Sequence, residues 1–503
     1  MRPSPLLSKS LLLCSVALAG GSTAQFDGYV LYGNLNSTTA RLLDENGTIA
    51  KQWNMSGSNA YAMALKDNGN LVRSVVNNGN QLNGAAVAGK VQEVDPSNNV
   101  VWEFVYSTST YVTHHDLCLM PNGNVLLIAW YNPGNAALQA LGYTGNQNKY
   151  PTRIIEVQQN GTGGQVVWEW NMLDHFIQDV DPNKPNYVVI SDHPERMDIN
   201  VPVSSLGGPG GGGDWFHVNG IDYNPDLDQI AFSSRLLSEI FIIDHSTTTA
   251  EAATSSGGNS GMGGDFLYRW GNPDNYDTPG TQVIPAAVHD VRWIKPGRPN
   301  AGYLQFVNNS ALGNTGTTID AIDPPLNGYT YTRTPGQAFT PSTYDWRHVA
   351  LTGNSGQSAS DRMPDGNTFV AISNGYMYEV DTNGNVVWQY ADGPQKAFRY
   401  TCDDAGIIAL LGADPCGLNT GVEGSTGTAI GLSPNPTTGS LFLGGLSLSS
   451  IRAITVMDAS GRIVSRPAPQ RTIDLGTHQN GWYLVEVELT DGRHLFERVV
   501  LTR

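Results

Sequence analysis

Ten histidines occur in the 503 residues, and three of them stand at one recurring place. His115 runs ahead of "LCLMPNGN", His217 ahead of "VNGIDYNPD" and His289 ahead of "VRWIKPG". Each phrase continues as apolar residues, a turn and more apolar residues. The same place is Ala60-Tyr61 before "ALKDNGNLV" and Gln357-Ser358 before "ASDRMPDGN". An imidazole can attack an electrophile, carry a proton or bind a metal. Three at one repeat position read as a site rather than as scattered structural residues. Arg235, at the end of "FSSR", suits planar recognition of an oxyanion. Two chemistries stay open on the residues alone: nucleophilic catalysis with acid–base help, or a trihistidine metal site. Asp116 and Asp290 directly follow two of the histidines, but strand alternation sends their side chains to the opposite face. His478 and His494 fall in a C-terminal module, His245 in a turn, and His348 near the channel without repeat support. His175 and His193 lie in an insertion able to lid a channel.

The elements that position these residues are two alternating hairpin phrases. The first ends in tryptophan: "LLDENGTIAKQW" (42–53), "VQEVDPSNNVVWEF" (91–104), "IIEVQQNGTGGQVVWEW" (154–170) and "YEVDTNGNVVWQY" (378–390). Degenerate copies span 241–270 and 321–331. The second phrase has five copies, at 64–72, 119–130, 223–234, 293–306 and 362–372. Apolar runs around Asp/Asn/Gly turns are hairpins. Two hairpins make a four-stranded sheet, and radial repeats of such sheets make a β-propeller. Six copies predict an all-β, six-bladed propeller over 25–395, with one blade completed from both chain ends. A linker over 396–430 and a small Ig-like β-sandwich over 431–503 follow. In a propeller the innermost strands line a channel, so the three histidines would face one another across it.

The bulk numbers bound the rest. A net charge of −17 without a basic block excludes nucleic acid as a partner. Arg2 and Lys9 before the apolar run 11–19, then Ser22-Thr23-Ala24, predict a signal peptide over 1–24 and an exported chain. Outside the cytoplasm a Cys402–Cys416 disulfide is expected, with Cys118 a buried apolar residue. The cysteine spacing gives no zinc signal.

The stretch "DWFHVNGIDYNPDLDQIAFSSRLLSEIFIIDHSTTTAEA…GGDFLYRWGNP", followed by "VHDVRWIKPG", resembles the arylsulfotransferase family, as does "VVWEWNMLDHFIQDVDPNKPNYVVISDHPERMDIN". The resemblance runs over roughly 28–390. It implies a six-bladed propeller that moves a sulfuryl group from a phenolic sulfate ester to a phenolic acceptor through a sulfohistidine, with no nucleotide donor and no cofactor. It assigns the nucleophile to His289 and phenol or sulfuryl handling to His217 and Asn219. Arg235 becomes the anion clamp, His115 a further channel donor, and Gln357 and Ser358 substrate contacts. Val288 stands where relatives are expected to carry Gln, and Gln357-Ser358 where they are expected to carry Lys-Thr. Residues 431–503, with Pro434–Pro436, the "GRIV" turn and "GWYLVEV", resemble the C-terminal sorting domain of the type IX secretion system. This implies that machinery as a partner, and a secreted or outer-surface location. Alternative readings are a non-catalytic surface-binding propeller and a histidine-metal enzyme.

Overall fold

A computed structural model describes residues 28–203, 212–313, 316–354, 356–416, 430–444 and 446–503. The signal peptide expected over 1–24 lies outside them. The chain divides into two units, Met1–Cys416 and Gly417–Arg503.

The Asp-rich turns of the tryptophan phrase explain its outer hairpins. Asp44 accepts the backbone N–H groups of Asn46 and Thr48 at 2.9 and 2.7 Å. Asp95 does the same for Ser97 and Asn99, and Asp381 for Asn383 and Asn385. A left-handed residue completes each turn: Gly47, Asn98 and Gly384 at φ 74°, 71° and 83°. A short side chain that bonds its own backbone fixes such a turn locally.

In the first unit, six four-stranded antiparallel sheets occur among the described residues, in a β-propeller-like series. The first is composite: Ala397–Tyr400 pairs with Tyr29–Tyr32, followed by Thr39–Leu43 and Ile49–Asn54. The second to fourth begin with Asn59–Leu65, Tyr111–Leu119 and Val218–Asn224, and the fifth and sixth with Val288–Trp293 and Ala359–Arg362. These first strands touch their counterparts in neighbouring sheets. Aspartates on them tie one sheet to the next. Asp116 accepts the N–H of Ile221, Asp222 that of Trp293, Asp290 that of Ser360 and Asp361 that of Arg399, all at 2.9–3.1 Å.

The phrase-ending tryptophans wedge into the following sheet. Trp102 donates to the Gly163 carbonyl at 2.6 Å, Trp170 to Gly264 at 2.7 Å and Trp270 to Pro341 at 2.6 Å. Trp170 also packs on Phe232 and Phe266 and is fully buried. Each wedge joins apolar burial to a satisfied indole N–H, so truncating Trp170 costs roughly 3–5 kcal/mol.

Two expectations shift here. The copy placed at 321–331 does not supply an outer strand. Leu326–Asn327 and Thr330–Tyr331 form a separate two-stranded ribbon, and Trp346–Val349 closes the fifth sheet instead. Residues 396–416 are not linker but part of the first unit. Ala397–Tyr400 is needed to complete the first sheet, and the helix Ala405–Leu411 buries Ile407 beside Leu65 and Leu71. The Cys402–Cys416 disulfide holds this tail.

The second unit packs a three-stranded sheet and a four-stranded sheet around one apolar core that includes Leu441, Val456, Ile473, Val485 and Val499. No helix among the described residues is long and apolar enough to cross a membrane.

Candidate active site

The first strands are not regular where the histidines sit. His115, His217, Ala287 and Asp290 adopt left-handed φ values of 56°, 51°, 57° and 56°. Pairing with the neighbouring strand jumps over the same places, between Thr113 and Leu117, Val218 and Gly220, and His289 and Arg292. A left-handed residue in a strand makes a bulge and re-aims its side chains. Strand alternation therefore fails locally, and a histidine and its following aspartate both turn inward. His115, Asp116, His289 and Asp290 are all buried.

The three repeat-phased histidines come together. His115 Nε2 lies 3.1 Å from His217 Nε2. The His217 and His289 rings stand edge to face with centroids 6.3 Å apart. Tyr61, at the equivalent place in the second sheet, lies with its ring 5.9 Å from that of His115.

His289 has a determined tautomer. Its Nδ1 lies 2.8 Å from both the Ala287 carbonyl and Asn309 Oδ1. The Asn309 amide is itself oriented, because its Nδ2 donates to the Asn354 and Gln357 carbonyls at 2.7 Å. Both groups facing Nδ1 are thus acceptors, so Nδ1 carries the proton and Nε2 the lone pair. Burial and the nearby charge of His217 hold the imidazole well below its ordinary pKa, in the nucleophilic form.

His217 belongs to a different circuit. Its Nδ1 donates to Asp214 Oδ2 at 2.5 Å, and Trp130 Nε1 donates to Asp214 Oδ1 at 3.0 Å. Burial opposes charge on Asp214, but His217 outweighs it and keeps the carboxyl below its usual range. His115 Nδ1 meets His114 Nδ1 at 2.6 Å, and the His114 ring stacks on Trp130 with centroids 4.2 Å apart. Burial pushes His114 down to about 3 and His115 well below the histidine range.

A salt cluster lies beside the histidines. Lys396 Nζ bonds Asp116 Oδ2 at 2.6 Å and Asp290 Oδ1 at 2.8 Å, with all three side chains almost completely buried. Arg292 approaches the same two carboxylates at 3.6 and 3.2 Å and caps the Phe398 ring. Lys396 thereby ties together the residues that follow His115 and His289.

The remaining expected residues are placed as follows. Asn219 accepts from Ser233 Oγ at 2.7 Å and donates to the Val288 carbonyl at 2.8 Å, bracing the strand that carries His289. Arg235 follows its strand with its N–H on the His217 carbonyl, and its charge acts on His289 and Asp214. Gln357 gives its carbonyl to Asn309, and its Oε1 is buried without a hydrogen bond among the described residues. Ser358 Oγ accepts the Ser373 N–H at 3.1 Å. Cys118 is half-buried, with its Sγ on the Leu119 carbonyl. His175 is buried on Asp265 and the Ala252 carbonyl, while His193 is a half-buried partner of Glu195. His348 lies on the outermost strand of the fifth sheet, on Tyr378, and so away from the channel. Among the described residues, no group of three or more His, Cys, Asp or Glu is arranged to hold a metal ion.

Sequence reasoning missed Asp214, His114, Asn309 and Lys396. Asp214 precedes His217 by three residues, and His114 adjoins His115, so two of the four carried a local signal.

A neutral imidazole with its lone pair on Nε2, a carboxylate-backed second imidazole and a nearby arginine can together attack an anionic ester and manage its leaving oxygen. The arylsulfotransferase (ASST) family model matches residues 27–266. No curated protein matches the chain. Among solved structures, it is similar to a protein of unknown function from Bacteroides caccae. They share 10% identity and a TM-score of 0.39 over 74% of this chain and 99% of that one. Hydrazine synthase from Kuenenia stuttgartiensis is similar at 12% identity and TM-score 0.35, over 72% and 80% of the two chains. The Dos1 propeller is similar at 8% identity and TM-score 0.31, over 95% and 93%.

Proposed function

We propose that this chain is a secreted aryl-sulfate sulfotransferase built on a six-bladed β-propeller. It moves a sulfuryl group from a phenolic sulfate ester to a phenolic acceptor through a sulfohistidine on His289. The observation that carries this reading is the fixed tautomer of His289, whose Nδ1–H is held by Ala287 and Asn309 and whose Nε2 keeps its lone pair. When Nε2 attacks sulfur, the imidazole becomes cationic, and the two acceptors on Nδ1–H stabilise it. Negative charge on the sulfuryl oxygens is met by Arg235, in a site from which water is largely excluded. His217 serves the aryl oxygen, with His115 behind it. Residues 431–503 act as the type IX sorting domain that carries the enzyme to the outer surface.

Mature protein incubated with 4-nitrophenyl sulfate and a phenol should release nitrophenol and sulfate the acceptor. His289→Ala should lower the rate roughly 10⁴-fold or more. Quenched wild-type protein should carry one sulfuryl group on the peptide containing His289. Release that needs no acceptor and survives His289→Ala would end this reading.

A further inference from the structure

A second set of buried polar groups surrounds the attacking histidine without contacting it directly. Asp214, His217, His115 and His114 form one continuous hydrogen-bonded chain, with links of 2.5, 3.1 and 2.6 Å. The proton positions along it can be worked out from its ends. Asp214 is an acceptor, so His217 Nδ1 carries a proton. With all three rings neutral, His217 Nε2 is then a lone pair, His115 donates to it from Nε2, and His114 donates to His115 from Nδ1. His114 Nε2 is left as a buried lone pair with no hydrogen bond among the described residues. Every link has one donor and one acceptor, and all of them point toward Asp214. An added proton can be placed on any of the three rings without breaking a link, but only His217 lies against a carboxylate, Asp214, so the charge settles there. His217 becomes an imidazolium on Asp214, and the links to His115 and His114 reverse. Trp130 holds both ends of the chain, donating to Asp214 from Nε1 and stacking on His114.

We infer that this Asp214-anchored imidazole chain is the proton store of the transfer cycle, with His217 as the catalytic acid–base and Asp214, His115 and His114 as positioning residues. The inference rests on the sulfotransfer reading above. In the first half-reaction the His289 Nε2 lone pair forms the N–S bond. The S–O bond breaks with its electron pair on the aryl oxygen, and the His217 imidazolium gives that oxygen its Nε2 proton. The aryl oxygen takes the place of His115 on His217 Nε2 for this step. In the second half-reaction the acceptor phenol returns a proton to His217 Nε2 as its oxygen attacks sulfur, and the S–N electron pair goes back to His289. The proton is conserved over the cycle, so the site exchanges none with water while it is closed. Asp214 stabilises the charged state of His217 and fixes its tautomer, and His115, oriented by His114, accepts the His217 Nε2 proton in a hydrogen bond while no aryl oxygen stands there.

The test is the dependence of rate on the leaving group, read in single-turnover release of phenol before acceptor is added. 4-Nitrophenyl sulfate leaves as a stable anion and needs little proton help, whereas phenyl sulfate needs it. Asp214→Asn should slow phenyl sulfate roughly 10²–10⁴-fold and 4-nitrophenyl sulfate less than about tenfold. Should that variant not fold, His115→Asn is read in the same way and should give a smaller loss, again confined to phenyl sulfate. Equal slowing of both esters, or of neither, overturns the proton store while leaving sulfotransfer standing. Wild-type protein that turns over neither ester overturns the sulfotransfer reading itself.

Discussion

Replacing Lys396 with methionine keeps most of the side-chain volume and removes one charge from the interior. The lysine is 0% exposed, and the two carboxylates it bonds are 1% and 0% exposed. Removing one member of a buried ion cluster leaves its partners charged in a poor solvent, at a cost of about 3–5 kcal/mol. The two ion pairs do not double this figure, because Arg292 and the backbone N–H groups of Leu117, Ile221 and Ser360 still face the carboxylates. For a unit this large, each kcal/mol moves the melting temperature by roughly 2 °C, so Lys396→Met should lower it by about 6–10 °C. Calorimetry on the mature chain should show the shift only in the transition of the first unit. Adding Asp116→Asn and Asp290→Asn should recover part of the loss, since the stranded charges are then gone. The variant should also lose turnover, because Asp116 and Asp290 adjoin His115 and His289, and a misplacement of 1 Å can cost about 10²-fold. A melting temperature within about 1 °C of wild type would refute the reasoning, since it would mean that the charges are solvated after all.

Two further outcomes follow from single contacts. Asn309→Ala removes one of the two acceptors on the His289 Nδ1–H. A hydrogen bond to a developing charge is worth about 1.5–3 kcal/mol, so kcat should fall roughly 10–150-fold with KM little changed. A change confined to KM would place Asn309 in binding instead. His245, bonded to Asp228 at 2.7 Å and Glu156 at 3.1 Å, is raised from 6.5 to about 9; burial opposes its charge, but the two carboxylates prevail. The raised folded value means that its stabilisation is complete below 6.5, declines between 6.5 and 9, and is gone above 9. The melting temperatures of wild type and His245→Asn should therefore differ at pH 6 and converge by pH 10; a constant gap would contradict this.

The repeating hairpins were legible because three of them carry a local cause, an Asp that bonds the turn with a left-handed Gly or Asn beyond it, and the outer strand ends in tryptophan. The fifth sheet shows where that legibility stops. Residues 318–322 begin the tryptophan phrase, but Pro324 and Pro325 interrupt it, and the outer strand arrives only at Trp346. The tryptophan that mattered was visible; the ribbon inserted before it hid the match. Ala397–Tyr400 was missed for a different reason. Its place in the first sheet depends on pairing with Tyr29–Tyr32, a contact that no local pattern reports.

The site was legible only in those parts that repeat. His115, His217 and His289 announced themselves by phase, whereas Asp116 and Asp290 were turned away by a rule that their own backbones break. The clue lay in residue type. Histidine and aspartate enter the left-handed region more readily than most side chains, and "HHD", "FHV" and "VHD" place them where a bulge would re-aim two successive side chains. Lys396 had no such clue: it sits 280 residues from Asp116 and has no counterpart in any phrase. Its position nevertheless accounts for the two aspartates. Two carboxylates brought inward beside the histidines would repel each other and anionic substrate alike unless a cation stood between them. The bulges at His115 and His289 therefore bring both aspartates onto one buried lysine from elsewhere in the chain. Lys396 directly precedes Ala397–Tyr400, so the segment that completes the first sheet also places the lysine.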